Sequence, residues 1–266
     1  MEKGVPIRSV SRSISVLQAI NRHGSLSMMA ISRQGAVPYP TACRIVQTLL
    51  HEGLIEQEPT RKHYRPTALV ESLAHGYRRE GQLVDVAADY IRDLTREIGW
   101  PVSLTVRVGT QMLVRDSTHA ETSLTFERYS PGFTLPVLEC ASGRVCLAHM
   151  PPEDLDNVMR WITLAGEDGS ADYRMHDTVD TLQKIRTEGY AAQSWGQHNR
   201  TPGKTSSVAV PIFRDGRYEA SLTMIYFAAS MKQSQAIDRY LAKLQACAAI
   251  ISRDLAAPEN AVEIEG

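Results

Sequence analysis

The feature that most constrains this chain is the stretch from residue 25 to residue 55, which is typical of two short helices, a tight turn and a strand. In the second helix, apolar residues recur at helical spacing and so form one buried face. Pro38 and Pro40 suit a helix start, where a missing backbone N–H costs little, and Gly53 suits the position just past its end. The predicted buried face comprises Ala42, Ile45, Val46, Leu49 and Leu50.

The residues outside this face are mostly polar, and none of them is acidic. Hydrogen-bonding side chains at such positions can contact base edges and phosphates, so the pattern indicates a helix-turn-helix module that binds DNA. A packed helical hairpin with a polar outer face would show the same periodicity, and periodicity by itself does not separate the two. The predicted DNA contacts are Tyr39, Pro40, Thr41, Cys43, Arg44 and Gln47, together with Ser27 earlier in the motif.

The sequence after this helix, residues 56–66, predicts a β-hairpin with a basic tip. Taken alone, an Arg-Lys pair would suit any solvated turn. Beside a recognition helix, a basic hairpin tip is typical of the wing of a winged helix-turn-helix, which reaches the sugar-phosphate backbone or the minor groove. We therefore predict DNA contacts from Arg61, Lys62 and His63, with Pro59 and Thr60 completing the tip.

The distribution of charge separates an N-terminal part of the chain from the rest. Residues 1–80 contain 11 Lys or Arg against 6 Asp or Glu, a net charge of +5, whereas the whole chain carries −1 and the remainder therefore −6. A basic N-terminal module joined to a larger acidic domain suits a regulator that places one end on a polyanion. Because the positive excess is modest, we expect two or more copies to act together on DNA.

Composition argues against several other classes of protein. The 4 cysteines form no C-x-x-C pair and have no accompanying histidine cluster, so no metal site, disulfide framework or cofactor is expected. No apolar run approaches the ~18 residues of a membrane span, and the chain does not begin with a signal-peptide pattern. These features predict a cytoplasmic protein without membrane contact.

From Trp100 the apolar residues alternate, which predicts a strand whose polar face carries Ser103, Thr105 and Arg107. The order of strands and helices predicts an α+β fold with an antiparallel sheet flanked by helices. We expect a winged helix-turn-helix domain over residues 1–67, a linker helix within 68–83 and a larger domain over 84–266. Predicted helices span 10–22 (capped by Ser9), 67–79, 84–98, 141–149, 152–162, 177–188 and 234–255, and the main strands 102–108, 111–116, 123–129, 206–213 and 217–227.

Taken together, several motifs of the chain resemble those of IclR-type transcriptional regulators across nearly its full length. The resemblance implies a winged-helix domain, a GAF-like effector-binding domain, and homodimers or homotetramers on double-stranded operator DNA, with RNA polymerase as a further candidate partner. Two positions depart from the family pattern: Ala36 stands where a glycine usually precedes the Val-Pro pair, and Pro66-Thr67 replaces Leu-Gly. The motifs are residues 8–17, Val37-Pro38, Thr41, Arg44, Leu49, Gly53-Leu54-Ile55, Tyr64-Arg65, 141–144, 188–190 and 207–211.

A narrower resemblance concerns the effector. Trp100-Pro101 and residues 115–119 are most similar to regulators of phenylpropionate and hydroxyphenylpropionate breakdown. That likeness implies a small aromatic carboxylate as effector and a catabolic operon as target. A short aliphatic acid such as glyoxylate or pyruvate is the alternative.

A helix beginning near Ala141 would present free N–H groups at its positive dipole end, which is a ready site for a carboxylate. Gly143 would let the backbone come close to a ligand, or it could serve only tight helix–sheet packing. Trp195 could stack on an aromatic ring or pack under a loop. The resemblance places the effector pocket on Leu124, Leu135, Ala141, Ser142, Gln193 and Ser207.

Two competing functions follow from individual residues. One is a small-molecule hydrolase with Cys140 or Ser142 as nucleophile and His119 or His149 as base, although the chain has no G-x-S-x-G motif. The other is a sensor that acts only through protein partners. We expect a regulator with no catalytic residue.

Overall fold

The structure is a computed structural model that describes residues 7–74, 81–125, 129–165, 175–194 and 203–256. The chain divides into two compact units, Met1–Glu80 and Gly81–Gly266. Helices combine with antiparallel sheets, which confirms the predicted α+β class. Within the described residues, no helix is both long and apolar enough to cross a membrane.

The N-terminal unit packs helices against a small antiparallel sheet with strand order β1-β3-β2. The apolar residues predicted on the second helix of the motif are buried, except that Leu50 is half-buried, and they share a core with Val16, Ile20 and Ile31. Gly53 adopts a φ of 70° just past this helix, as its position predicted. The elements are α1 (Arg8–His23), β1 (Leu26–Ser27), α2 (Met28–Gln34), α3 (Tyr39–His51), β2 (Ile55–Gln57), β3 (His63–Pro66) and α4 (Leu69–Ser72).

The first helix differs from its prediction at its N-terminal half. Helix α1 begins at Arg8 and Ile7 occupies the cap position, so Ser9 lies inside the helix and does not cap it. Val10 and Ile14 are 52% and 51% exposed, and the buried residues of α1 all lie in its second half. In α1, therefore, only the second half presents a buried apolar face to the rest of the unit.

The predicted linker helix is short in the part that the structure describes. Helix α4 covers Leu69–Ser72, and residues 75–79 of the predicted 67–79 helix lie outside the described residues. The Thr67 hydroxyl donates to the Gly53 carbonyl at 2.6 Å and accepts from Leu69 N–H at 3.3 Å. This threonine therefore ties the start of α4 to the end of α3.

Among the described residues, the C-terminal unit contains a six-stranded antiparallel sheet of order β6-β5-β4-β9-β8-β7. Asp215 and Gly216 both have positive φ, which gives the tight two-residue turn expected between the last two strands. The elements are α5 (Gly81–Ile98), β4 (Val102–Val108), β5 (Gln111–Ser117), β6 (Thr134–Pro136), a 3-10 turn (Val137–Glu139), α6 (Ala141–Ala148), α7 (Pro152–Ala165), α8 (Met175–Glu188), β7 (Ala191–Gln193), β8 (Thr205–Arg214), β9 (Arg217–Phe227) and α9 (Gln233–Ala256).

The two faces of this sheet are covered by different helices. Leu104, Val210 and Leu222 point toward α5 and α9 in one apolar core. Met112 and Ala209 belong to a second core with α6, α7 and α8. Because both faces are covered, the strand face predicted to be polar is buried as well, and Ser103 and Thr105 lie within the fold.

The predicted strand over 123–129 is wrong for the residues that the structure describes. Residues 123–125 and Tyr129 are irregular, and residues 126–128 lie outside the described residues. The next strand after β5 in the described chain is β6, which pairs with it. The Thr122 hydroxyl donates to the Gly99 carbonyl at 2.8 Å and accepts from Leu124 N–H at 3.1 Å. Such side-chain bonds offer the backbone an alternative to strand pairing.

Candidate functional site

The outer face of α3 forms one wall of a groove in the N-terminal unit. Arg44, Gln47 and Thr48 are exposed there, and Thr41 is half-buried. The opposite wall comes from the N-terminal half of α1, which contributes Arg12 along with Ser9 and Ser13. Arg12 was not predicted, because its place beside α3 depends on how the two helices pack.

The other predicted contacts of this motif lie elsewhere. The Tyr39 and Cys43 side chains interact with each other, and neither residue lines the groove. Pro40 is exposed in the first turn of the helix. The Ser27 hydroxyl caps α2 by accepting from Ala30 N–H at 3.4 Å, which gives this residue a structural task.

A polar cluster fixes the predicted wing. The Arg61 guanidinium and the Ser25 hydroxyl both donate to the Glu58 carboxylate, Ser25 at 2.6 Å. These two hydrogen bonds lower the pKa of Glu58 to about 2. His63 opens β3 instead of lying at the tip, half-buried with Nδ1 3.4 Å from the Ser25 hydroxyl. Lys62 is exposed and has no ion-pair partner among the described residues.

The turn between α2 and α3 carries a strained residue. Ala36, which stands where the resembled family has glycine, adopts a φ of 50°. The left-handed region is costly for any residue with a Cβ atom. The departure noted in the sequence therefore leaves the turn in a glycine-like conformation.

A cavity of about 50 Å³ lies in the C-terminal unit between α6 and the sheet. One wall is the start of α6, where Ala141 and Ser142 face the cavity. The other is the sheet face toward α6, which contributes hydroxyls from three strands. The remaining lining residues are Ser103, Thr105, Val114, Tyr129, Leu135, Glu139, Cys140, Gln193, Thr205, Ser206, Ser207, Thr223 and Ile225.

The structure thus brings together five of the residues on which the effector pocket was predicted: Leu135, Ala141, Ser142, Gln193 and Ser207. The Gln193 side chain donates to the Glu139 carbonyl at 2.7 Å, which links β7 to the 3-10 turn.

Of the other three predicted effector residues, Leu124 and Gly143 do not line the cavity. Leu124 is exposed on an irregular segment, and Trp195 lies outside the described residues. Gly143 donates its N–H to the Cys140 sulfur at 3.3 Å, and a Cβ there would overlap the Val137 carbonyl oxygen. The glycine therefore permits close packing of α6 on the 3-10 turn. A packing role was one of the two alternatives that the sequence left open for Gly143, the other being close approach of a ligand.

Two cavity hydroxyls that the sequence analysis did not select have no hydrogen-bond partner among the described residues. They belong to Ser103 on β4 and Thr223 on β9, which are 3% and 6% exposed. Their Cα atoms pair directly across the two strands. The available signal was the polar alternation of β4, which predicts a polar strand face but not what that face contacts.

The groups proposed for hydrolysis are poorly activated. Burial raises the pKa of the Cys140 thiol, so it is not a ready thiolate nucleophile. The Ser142 hydroxyl donates to that sulfur at 3.3 Å and not to a histidine. Burial lowers the pKa of His119 to about 4, and its Nδ1 lies 2.6 Å from the Ser117 hydroxyl. Burial also lowers the pKa of His149.

Comparison with known proteins agrees with this architecture. The IclR helix-turn-helix domain matches residues 9–59, and the bacterial transcriptional regulator IclR C-terminal domain matches residues 75–253. The HTH-type transcriptional regulator BhcR of Paracoccus denitrificans is 29% identical over 213 residues, which cover 78% of this chain and 72% of that protein.

Solved structures show the same fold. The IclR protein of Thermotoga maritima superposes with a TM-score of 0.66 at 22% identity, covering 94% of this chain and 99% of that one. An IclR homologue from Microbacterium hydrocarbonoxydans, solved with 4-hydroxybenzoate, gives 0.65 at 22% identity and covers 94% and 100%. Because the two matched domains together span most of the sequence, the chain belongs to the IclR family of transcriptional regulators, which are not enzymes.

Proposed function

We propose that this regulator recognises its operator through the groove between α1 and α3, with Arg44 and Gln47 contacting bases. The observation that carries this assignment is the non-acidic row Thr41, Arg44, Gln47 and Thr48 on α3, of which the last three residues are exposed. Guanidinium and amide side chains suit the hydrogen-bonding edges of guanine and adenine in the major groove. Arg12 and Lys62 supply positive charge for phosphate contacts on either side.

Operator binding by an Arg44→Ala variant tests this assignment. The operator is first selected from a random-sequence DNA library with the full-length protein. Loss of a base contact is expected to weaken binding by about 1–3 kcal/mol, roughly 5- to 150-fold. Arg33→Ala is the matched control, because Arg33 is exposed on α2 and does not line the groove. Equal affinities of both variants and the wild type would contradict the assignment.

We propose further that the effector is a small carboxylate held in the cavity at the N-terminus of α6. Backbone N–H groups at a helix start attract anions, and Ala141 and Ser142 of α6 line the cavity. The buried hydroxyls of Ser103 and Thr223, which have no partner among the described residues, support a bound polar ligand. Control of a catabolic operon is part of the same proposal.

An aromatic acid is our first candidate for the effector. Val114, Tyr129, Leu135 and Ile225 supply an apolar and aromatic part of the lining. The Microbacterium homologue of similar fold was solved with 4-hydroxybenzoate. Both points favour a ring with a carboxyl group.

A short aliphatic acid is the second candidate, because the cavity volume favours it. About 50 Å³ is room for only a few waters at roughly 10–15 Å³ each. An apolar cavity that accepts benzene is larger, about 150 Å³. An aromatic ring would therefore require the cavity to widen.

A thermal-shift panel separates these candidates. It compares phenylpropionates, hydroxybenzoates and cinnamates with glyoxylate and pyruvate, using the full-length protein. A ligand present at about 100 times its Kd adds about 2.7 kcal/mol to the free energy of unfolding, which is readily detected. A shift with the aromatic acids alone supports the first candidate, and a shift with the short acids alone supports the second. No shift with any acid overturns the carboxylate proposal.

We also propose that the protein acts as a homodimer or homotetramer, and that its operator contains repeated half-sites. The net charge of +5 on residues 1–80 is modest for a DNA-binding unit. Pairing two such units on one operator multiplies the phosphate contacts. Contact with RNA polymerase remains part of the proposal. Light scattering of the free and operator-bound protein measures the assembly directly.

A further inference from the structure

We infer that the effector carries a second, neutral hydrogen-bonding group, a hydroxyl, which Ser103 and Thr223 recognise on the sheet wall of the cavity. This inference rests on the proposed function, in which the cavity binds a small carboxylate. It identifies the ligand class as hydroxy-monocarboxylic acids and assigns specificity to a pair of residues on β4 and β9.

The first step of the argument is the position of the pair. Ser103 and Thr223 lie opposite each other in the register between β4 and β9, on the sheet face toward α6. Both line the cavity, and both are at least nine-tenths buried. Within the described chain neither hydroxyl has a hydrogen-bond partner. Two adjacent donors and acceptors therefore face the same small space.

Several other buried hydroxyls among the described residues of this unit are satisfied by the protein itself. Ser221, two residues before Thr223, donates to the Ser142 carbonyl at 3.0 Å. The hydroxyls of Thr95 and Thr118 lie 2.6 Å apart. Leaving a buried hydroxyl without a partner is costly, which is why most are bonded. The Ser103–Thr223 pair departs from this rule at the cavity wall, where a ligand can complete its bonds.

The charges around the cavity decide what that ligand group can be. Among the described residues that line the cavity there is no lysine, arginine or histidine, and the one charged residue is Glu139. A second carboxylate on the ligand would find no cation and would meet an acidic neighbour. A hydroxyl can donate to one of the paired oxygens and accept from the other, so it suits the pair without adding charge.

The test uses matched pairs of acids that differ by one hydroxyl. The pairs are 4-hydroxybenzoate with benzoate, 3-(3-hydroxyphenyl)propionate with 3-phenylpropionate, and lactate with propionate. Isothermal titration calorimetry on the full-length wild type should show, in at least one pair, about tenfold tighter binding of the hydroxylated acid. The three pairs also distinguish an aromatic source of the hydroxyl from an aliphatic one.

Ser103→Ala and Thr223→Val, singly and together, should reduce that preference to about twofold or less, mainly by weakening the hydroxylated acid. The melting temperature of the ligand-free variants should not fall, because each change removes a buried group without a partner. Thr95→Val is the matched control: it removes a buried hydroxyl that is bonded to Thr118 and lies outside the cavity lining. It should lower the melting temperature and leave the preference intact.

The outcomes separate this inference from the function on which it rests. Wild-type protein that binds both members of each pair equally would overturn the hydroxyl inference and leave carboxylate binding established. A preference that survives in the double variant would also overturn it, because the discrimination would then arise elsewhere. Absence of binding by all six acids would overturn the carboxylate proposal and this inference together. If one single variant fails to fold, the other single variant still tests the assignment to the pair, and equal wild-type binding of the paired acids overturns the inference without any variant.

Discussion

The two units present their candidate functional residues in opposite ways. In the N-terminal unit, Arg44 and Gln47 lie on the outside of a single helix and are exposed. In the C-terminal unit, Ser103 and Thr223 are buried and come from strands that are distant in sequence but paired in the sheet. A surface built on one helix follows from local periodicity, whereas a cavity wall depends on long-range strand pairing.

The same difference governs the energy of the unliganded protein. An exposed arginine without DNA is solvated by water and costs the fold nothing. A buried hydroxyl without a partner destabilises the fold until something binds it. The DNA-binding surface is therefore tolerant of an empty state, while the cavity of the C-terminal unit favours an occupied one.

The largest expected effect tests how tightly the cavity wall is packed. Gly143→Ala should destabilise the C-terminal unit by about 3 kcal/mol or more, because the added Cβ would overlap the Val137 carbonyl. Gly109→Ala is the control: its Cβ would enter open space, and only the φ of 62° should cost about 1–2 kcal/mol. Denaturant unfolding, with hydrogen exchange of peptides from each unit, measures both losses. Equal losses of stability in the two variants would show that the 3-10 turn moves to make room for the added Cβ.

A buried histidine makes the stability of the C-terminal unit depend on pH. Burial lowers the pKa of His119 to about 4, and the residue is 2% exposed. The unfolded chain takes up this proton below about pH 6.5 and the folded chain only below about pH 4. Stability is therefore complete above about pH 6.5 and should fall by up to about 3 kcal/mol as the pH approaches 4.

His119→Gln should remove that part of the pH dependence. The difference between the wild-type and variant stability curves isolates His119 from His149, whose pKa is also lowered by burial. Parallel curves between pH 6.5 and 4 would mean that water reaches the His119 ring in the folded state.

The predicted wing provides a test with a smaller expected effect, on the exposed DNA-binding surface. Lys62→Ala should weaken operator binding by similar factors across sequences and reduce the slope of log affinity against log salt by about 1. Arg61→Ala should change the slope less, because the Arg61 guanidinium is already paired with Glu58. Salt titrations of operator binding provide both slopes. A larger change for Arg61 would indicate that its pair with Glu58 opens on DNA.

The smallest effect concerns the turn before α3. Ala36→Gly should stabilise the N-terminal unit by less than about 1 kcal/mol. Relief of the left-handed strain at Ala36, about 1–2 kcal/mol, is partly offset by the greater freedom of glycine in the unfolded chain. Thermal unfolding measures the change. A destabilised variant would contradict the strain argument.

The sequence by itself determined the helix-turn-helix and its polar outer face. Helical periodicity and the conformational preference of glycine are local properties, so the buried row of α3 and the glycine after it were both predicted and are confirmed. Motifs shared with the family led to five of the cavity-lining residues, among them Ser142 and Gln193.

Only the tertiary structure decided which polar residues are buried and what they face. Val10 and Ile14 are exposed on the N-terminal half of α1 although they are apolar, and Ser103 is buried because α6 covers its side of the sheet. The alternation of β4 shows that two faces differ but not which face meets solvent. That depends on partners far along the chain, whose positions are fixed only when strands pair and helices pack.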